Sequence, residues 1–427
     1  MDIQTLYKRF LECAKVSTDT RQILPGSLFF ALKGPKFNAN AFAEEALNKG
    51  ARYAVVDEEA FVKDERYLLV EDGLVALQDL ARYHRDQLTI PVIGLTGSNG
   101  KTTSKELVHA VLSKKFATFA TKGNLNNHIG VPLSILSIDK NIEIAVIEMG
   151  ANHLGEIALL SSIAKPTHGF ITNIGKAHIG TFGGFDNIIR GKSELYHHLI
   201  TTKGTVFINS LNPILSNMAK RFAKPVFYPK PGDYYQCELL GADPLVRVKA
   251  ENGDEVQSNL AGAYNFENIA TALCIAKFFG VAAEKANEAI TEYKPGNMRS
   301  QIVVKGSNTI VLDAYNANPS SMQAAIENLA SMKADKKIAI IGDMFELEEE
   351  AEKEHAAIGR LLAEKKFDEV YLCGTLMHAA ASQLPSAYYF EKKEALIKQL
   401  QAKPIQGSTV LVKASRGIGL ETVLDYM

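Results

Sequence analysis

Short apolar runs of four or five residues alternate with amphipathic stretches along almost all of the chain, a pattern that predicts an α/β fold with largely parallel sheets. In AFAEEALNKGARYAVVD, a helix from about Ala41 ends at Gly50, whose missing Cβ permits a left-handed cap, and a strand follows at Tyr53–Val56. A second helical stretch, Leu74–Arg85, leads through DQLTIP to Pro91, a break that reads as a joint. Beyond it lie strands at Val92–Leu95, Ile144–Ile147 and Gly169–Asn173, a helix starting near Thr102, and a helix over Asn268–Phe279 that stops at Gly280. The segment EYKPGNMRSQ, with Pro295 and Gly296, marks a second joint. After it, Ile310–Asp313, Lys337–Ile341, Glu369–Cys373 and Thr409–Val412 read as strands with helices between them. The acidic run ELEEEAEKE at 346–354 is expected to be a solvated helix start, because carboxylates favour the first turn.

The two joints divide the chain into three α/β domains, 1–88, 89–296 and 297–427, which suits 427 residues at roughly 100–200 per domain. Lys plus Arg number 47 and Asp plus Glu 48, so no strongly basic surface exists to gather nucleic acid, and no nucleic-acid partner is expected. Cys13, Cys237, Cys274 and Cys373 lie far apart with no C-x-x-C pair, which excludes a disulfide framework and a zinc site and fits a reducing cytosol. The first residues, MDIQTLYKRFLEC, lack the apolar core of a signal peptide. No apolar run approaches the ~20 residues of a membrane span. A cytoplasmic, monomeric protein acting on small molecules, without membrane insertion, is therefore expected.

The sharpest local signal is VIGLTGSNGKTTSKELVHAVL. An apolar strand runs into Gly97, Ser98, Asn99, Gly100, Lys101, Thr102 and Thr103, and then an amphipathic helix begins. Glycines let the backbone aim successive N–H groups at phosphate oxygens, and the positive end of the helix adds to the attraction. Lys101 supplies a mobile cation and the Thr102 hydroxyl a ligand for Mg²⁺. The common pattern G-x-x-x-x-G-K-[ST] is not met, because Leu95 stands where its first glycine belongs. The plain alternative is a Gly-rich turn that binds nothing. Glu148 ends the next strand, where α/β sheets form ligand sites. His178 sits in a Gly-rich loop beyond the following one, although spacing alone favours a surface residue for each. This much points to Mg²⁺-assisted phosphoryl transfer and leaves a kinase, a switch GTPase and a ligase open.

Taken in order, STDTR, LFFALKG, TGSNGKTT, KGNLNNHIGVPLS, IEMGANHLGEI, NIGKAHIGTFGG, RGKSEL, GAYNFENIATAL, MRSQ, LDAYNANPSSM, IGDMFELEEEAEKEH and VKASRG resemble the Mur ligase family over nearly the whole chain. The short phosphate loop is that family's own form. NLNNH, DAYNANP and GDMFEL favour the member that adds D-alanyl-D-alanine over sisters that add another amino acid, and over folylpolyglutamate synthetases. The resemblance implies an N-terminal UDP-substrate-binding α/β domain, a central P-loop ATPase domain with a mostly parallel sheet, and a C-terminal Rossmann-like domain. It implies ATP-dependent ligation of D-alanyl-D-alanine to UDP-N-acetylmuramoyl-tripeptide through an acyl phosphate, in peptidoglycan synthesis. Alternatives are a sister ligase with a different amine, and a nucleotide-binding protein that has lost ligation.

The same resemblance assigns roles by residue. Lys101, Lys192, His178 and Asp313 are catalytic. Thr102, Glu148 and His178 hold Mg²⁺, joined by Lys192 as a CO₂-derived carbamate. Its rivals are a surface lysine beside Glu194, or Lys176 in its place. Asn265 and Asn268 meet the adenine unless they merely cap a helix. Arg299 and Asp313 reach the phosphate and ribose, with an Asx turn as the bland reading of Asp313. Ser17, Asp19, Arg21, Lys33 and Gly34 contact the UDP-sugar. Asn124, Asn126, Asn127 and His128 lie beside the pyrophosphate and muramoyl group, or simply form a turn. Tyr315, Asn316, Asn318 and Ser320 position D-alanyl-D-alanine, with His355 further off, or make a polar turn before a helix. Lys413 and Arg416 in VKASRG complement acidic substrate groups, or merely decorate a strand end.

Overall fold

The computed structural model describes residues 1–427. Three sheets stand along the chain, each built mainly of parallel strands. The first has four strands, in the spatial order Val16–Ser17, Leu28–Phe30, Tyr53–Val56 and Tyr67–Leu69, all parallel. Its helix is shorter than the sequence suggests. Residues 39–42 form a 3₁₀ turn and the α-helix occupies only Ala43–Asn48, because Asn38 accepts from the Asn40 N–H and tightens the entry.

The helix Gly73–Gln87 joins this unit to the next. Asp72 caps it by accepting from the Leu74 and Val75 N–H groups. Leu77, Leu80 and Ala81 are buried in one apolar cluster with Ile135, Ile138, Leu160 and Ile163. His84 Nε2 lies 2.8 Å from the Ile138 carbonyl, and Arg85 Nε donates to the Ala164 carbonyl at 2.9 Å. The chain just before Pro91 is thus held by packing on the residues that follow.

The second sheet has six parallel strands, in the order Val226–Tyr228, Thr205–Asn209, His168–Ile171, Val92–Thr96, Ile144–Glu148 and Thr118–Ala120. Both faces are covered, so its strands read as unbroken apolar runs. Ile93, Leu95, Ile144 and Val146 pack with Leu107 and Val111 of the helix Lys101–Leu112 and with Ile269 and Leu273 of the helix Asn265–Phe278. Val92, Ala145 and Ile147 face Ile157 and Leu160 of the helix Glu156–Ala164 and Leu195 and Leu199 of the helix Phe185–Thr201. The strand Val92–Thr96 sits inside the sheet. Its carboxyl end, and those of its two neighbours, therefore open onto a single edge.

A small antiparallel sheet, Glu238–Gly241, Leu245–Lys249 and Glu255–Ala261, follows. The expectation of strand-helix alternation does not describe this segment. Its strands bury alternate residues, Val246 and Val248 inward with Arg247 and Lys249 outward, the period-2 signature of a one-sided sheet.

The third sheet runs Gln301–Lys305, Asn308–Asp313, Thr409–Lys413, Lys337–Gly342, Glu369–Cys373 and Tyr388–Phe390. Only its first strand is antiparallel. The acidic run at 346–354 is the expected helix start and is exposed at Glu346, Glu348, Glu349 and Glu352, but not at Glu354. Glu348–Glu350 form a 3₁₀ turn before the helix Ala351–Lys365. Glu354 is 5% exposed, and its carboxylate takes Lys176 Nζ of the central unit at 2.7 Å. No helix is long and apolar enough to cross a membrane.

Candidate functional site

The turn after Val92–Thr96 is made by residues that tolerate no replacement of shape. Gly97 has φ +145° and a Cβ there would stand 2.0 Å from Thr172 Oγ1. Gly100 has φ +76° and a Cβ would meet Asn268 Oδ1 at 2.6 Å. Ser98 and Asn99 are tied to the neighbouring strand end: the Ser98 hydroxyl donates to the Gly175 carbonyl at 2.9 Å, and the Asn99 N–H donates to Asn173 Oδ1 at 3.0 Å. The helix begins at Lys101, so the loop N–H groups and the helix terminus face one cleft of about 680 Å³.

Lys101 folds back over the loop, donating to the Gly97 and Ser98 carbonyls at 2.7 and 3.2 Å. Burial pushes its amine down to about 8, against the pull of Glu148 and Glu346, although part of the side chain still meets solvent. Glu148 is 2% exposed. Its Oε1 accepts from Asn126 Nδ2 at 2.8 Å and from the Thr102 hydroxyl at 3.4 Å. Its Oε2 is buried with no hydrogen-bond partner, and the nearest cation is Lys105 Nζ at 3.9 Å. A bare carboxylate oxygen and a hydroxyl beside a phosphate loop fit a hard divalent cation that keeps water and phosphate as its other ligands. No three His, Cys, Asp or Glu side chains converge as a ready-made cluster.

His178 stands in the cleft with φ +57°, and its Nδ1 lies 2.5 Å from Glu346 Oε2. The contact lies off the line of an N–H hydrogen bond, and the imidazole holds the Glu346 carboxyl below its usual range. Lys192 is fully buried. Its Nζ donates to the Ala151 carbonyl at 3.0 Å and lies 5.1 Å from the Phe182 ring centre. Burial, then the nearby Lys101 charge, drives its amine well below the ordinary lysine range. The surface-lysine reading of Lys192 is thereby overturned. Lys176, its rival, is the half-exposed partner of Glu354.

Asn265 and Asn268 are not caps, for the helix starts at Asn265 without a side-chain cap. They form a buried chain instead: Asn265 Nδ2 donates to the Ala261 carbonyl at 2.7 Å, Asn268 Nδ2 to Asn265 Oδ1 at 2.8 Å, and Ser104 Oγ to Asn268 Oδ1 at 2.8 Å. From the third unit, Asp313 pairs with buried Lys413 at 2.5 Å and accepts from the Ser300 N–H at 3.3 Å, which replaces the Asx-turn reading. The Arg299 guanidinium lies 3.9 Å over the Tyr315 ring and that of Arg416 lies at 5.1 Å. Asn318 caps the helix Pro319–Ser331 through a capping box, and its Nδ2 donates to Asn99 Oδ1 at 2.7 Å. The Ser320 hydroxyl accepts the Lys176 N–H at 2.8 Å.

The cleft thus gathers residues 98–103, Asn124, Asn126, Asn127, Glu148, His178, Asn265, Asn268, Arg299, Asp313, Tyr315, Asn316, Asn318 and Ser320. Ser17, Asp19, Arg21, Lys33, Gly34 and His128 do not line it, and neither do Gly97 and Lys192. Asp19 is held down to about 2 by the Arg21 guanidinium, and Lys33 Nζ sits 3.2 Å from Asp57. His355 is fully buried. Its Nε2 accepts the Met344 N–H at 3.0 Å and its Nδ1 faces the Ala351 carbonyl at 2.6 Å, so it braces a loop rather than offering a base. Sequence reasoning missed Glu346, placed among solvated carboxylates, and Lys105, whose only signal was its place one turn after the loop lysine.

Residues 95–276 match the Mur ligase middle domain, and residues 298–416 match the Mur ligase, glutamate ligase domain. The UDP-N-acetylmuramoyl-tripeptide–D-alanyl-D-alanine ligase of Bacillus subtilis is 34% identical over 423 residues, covering 96% of this chain and 92% of that protein. The ligase of the same name from Escherichia coli is 32% identical over 420 residues, with 96% and 92% covered. Among solved structures, MurF from Acinetobacter baumannii matches with TM-score 0.88 and 31% identity over 99% of this chain and 97% of that one. MurF from Thermotoga maritima, in complex with ADP, matches with TM-score 0.85 and 30% identity over 98% and 97%. Likeness that runs nearly end to end, through the phosphate loop and both flanking units, means that the chain belongs to the Mur ligase family.

Proposed function

We propose that this chain is an ATP-dependent ligase joining D-alanyl-D-alanine to UDP-N-acetylmuramoyl-tripeptide, with release of ADP and phosphate, in peptidoglycan synthesis. The observation that carries the reading is convergence. The phosphate loop, the bare Glu148 oxygen and Arg299, Asp313 and Tyr315 of the third unit share one cleft, in a chain that aligns almost end to end with ligases of that name.

A carboxylate must be activated before an amine displaces its oxygen. Attack on the γ-phosphate sets one anion against several, and each unit-charge pair at 4 Å repels by ~4 kcal/mol at an effective dielectric near 20. The loop N–H groups and the helix terminus oppose this repulsion. So does Lys101, which swings from its two carbonyl partners to the phosphates. Thr102 and Glu148, with His178, would hold Mg²⁺, which neutralises charge between phosphate oxygens when bound. Burial without a carboxylate partner favours the neutral form of Lys192 Nζ, the form that adds to CO₂, so the lysine carbamate belongs to the same proposal. Asn265 and Asn268 reach the adenine from the helix behind the loop. Tyr315 and Asn316 are the freest of the dipeptide-facing set, since Asn318 and Ser320 already hold the interface. The incoming amine, with a pKa near 7.7–8.0 as a free peptide, must lose its proton as the bond forms.

Ser17, Asp19, Arg21, Lys33 and Gly34 would hold the UDP end on the first unit, with Asn124, Asn126, Asn127 and His128 nearer the muramoyl group. Units 1–88, 89–296 and 297–427 then divide the work between acceptor, nucleotide and amine. Action as a monomer in the cytoplasm belongs to the same proposal, and four free cysteines suit that compartment.

The test supplies ATP, Mg²⁺, the UDP-muramoyl-tripeptide and a panel of amino acids and dipeptides. Phosphate and UDP-pentapeptide should appear with D-alanyl-D-alanine. Phosphate released equally fast without the dipeptide, or ligation of another amine in its place, would overturn the reading.

A further inference from the structure

Arg299 enters the cleft from a short joint whose shape is held by one carboxylate on the nucleotide-loop helix. The helix Lys101–Leu112 carries Glu106 on its second turn, with the side chain 31% exposed. The Tyr293 hydroxyl donates to Glu106, and Asn297 Nδ2 donates to both its oxygens, at 3.2 and 3.1 Å. Both donors lie in the joint. Beyond them, Met298 and Ser300 have φ +56° and +50°, left-handed backbone that non-glycine residues rarely adopt and that surroundings must impose. Arg299 lies between the two.

The far side of the joint is fixed as well. The Ser300 N–H donates to Asp313 at 3.3 Å, the Tyr264 hydroxyl shares a 2.9 Å hydrogen bond with Ser300 Oγ, and the guanidinium stacks on Tyr315. Arg299 Nε is buried without a partner, as a group waiting for an anion would be.

We infer that Glu106 is a positioning residue, which anchors the joint at Tyr293 and Asn297 so that Arg299 is aimed at a nucleotide on the loop five residues upstream. The inference rests on the nucleotide reading of the cleft. It makes one rigid helix carry both the phosphate loop and the anchor for the arginine of the next unit. Without the anchor the left-handed pair relaxes and the guanidinium wanders.

The experiment is a thermodynamic cycle on the full chain, with Mg²⁺ and a non-hydrolysable ATP analogue titrated up to millimolar concentration. Glu106→Ala should weaken binding about tenfold, and amide exchange at residues 298–300 should quicken. The Glu106→Ala, Arg299→Ala double variant should bind no more weakly than Arg299→Ala alone, because two residues acting through one contact are not additive. Glu106→Gln, which keeps an acceptor for both donors, should recover most of the affinity. Losses that multiply in the double variant, unchanged binding in Glu106→Ala, or unaltered exchange would each overturn the inference. If Glu106→Ala does not fold, Tyr293→Phe with Asn297→Ala removes the same bonds from the other side and is held to the same outcomes. Failure of the parent to bind the analogue would overturn the nucleotide reading itself, whereas parent binding with an additive cycle overturns the role of Glu106 alone.

Discussion

Lys192→Met should leave the protein as stable as the parent or more so, while abolishing ligation. Lys192 is fully buried, and its amine has one hydrogen bond, to the Ala151 carbonyl, and no carboxylate partner. Burial depresses its pKa in the folded state far below the ~10.4 of an unfolded lysine. The sign follows. Between the two pKa values the unfolded chain binds the extra proton, so stability rises with pH; the penalty is full below the folded pKa and vanishes above the unfolded one. The advantage of Lys192→Met should therefore shrink as the pH rises towards the unfolded lysine pKa, at no more than about 1.4 kcal/mol per pH unit. Methionine fills much of the same space, and the lost hydrogen bond subtracts about 1 kcal/mol. Lys101, also depressed, lies close enough to help lower Lys192, so the Lys101→Ala background is measured alongside to separate the two. Urea unfolding of parent and variant, followed by circular dichroism from pH 7 to 10, reads the gap. A gap that does not change with pH, or a variant less stable than the parent by more than about 1 kcal/mol at pH 7, would refute the claim that Lys192 is an unpaired buried amine.

Lys101→Ala should remove turnover without unfolding the chain, since the side chain bonds only to the Gly97 and Ser98 carbonyls of its own loop; a thermal midpoint lowered by many degrees would contradict this. Lys413→Ala should destabilise the third unit by about 3–5 kcal/mol, because it strands the part-buried Asp313 carboxylate. Asp313→Asn in the same background should restore part of that loss, and a neutral outcome for Lys413→Ala in denaturant titration would show the pair to be solvated.

How much of this site could be read beforehand depends on the range of the interaction. The strand-turn-helix around 97–103 is legible because its causes are local: glycines at left-handed positions, a lysine at the first helical residue, and an apolar strand before them. Glu148 is legible as a strand end. Burial of Lys192 is not, since a lysine beside Glu194 reads as well as a surface residue and only packing against Phe182 and Ala151 encloses it. The acidic run is legible as an exposed helix start, but its long-range partners are not. Carboxylates favour a helix start wherever they stand, but Glu346 and Glu354 meet His178 and Lys176, far away along the chain.

The sequence by itself determined the alternation of strands and helices, the phosphate loop and, through its ordered motifs, the family. Tertiary structure decided which of those pieces meet. Asn318 reaches Asn99 across 219 residues, Arg299 is turned inward by a strained joint held at Glu106, and the small antiparallel sheet interrupts the parallel pattern. Propensity and turn chemistry act over a few residues and are written where they act. Burial, ion pairing and the pKa shifts they cause depend on neighbours that only the folded chain brings together.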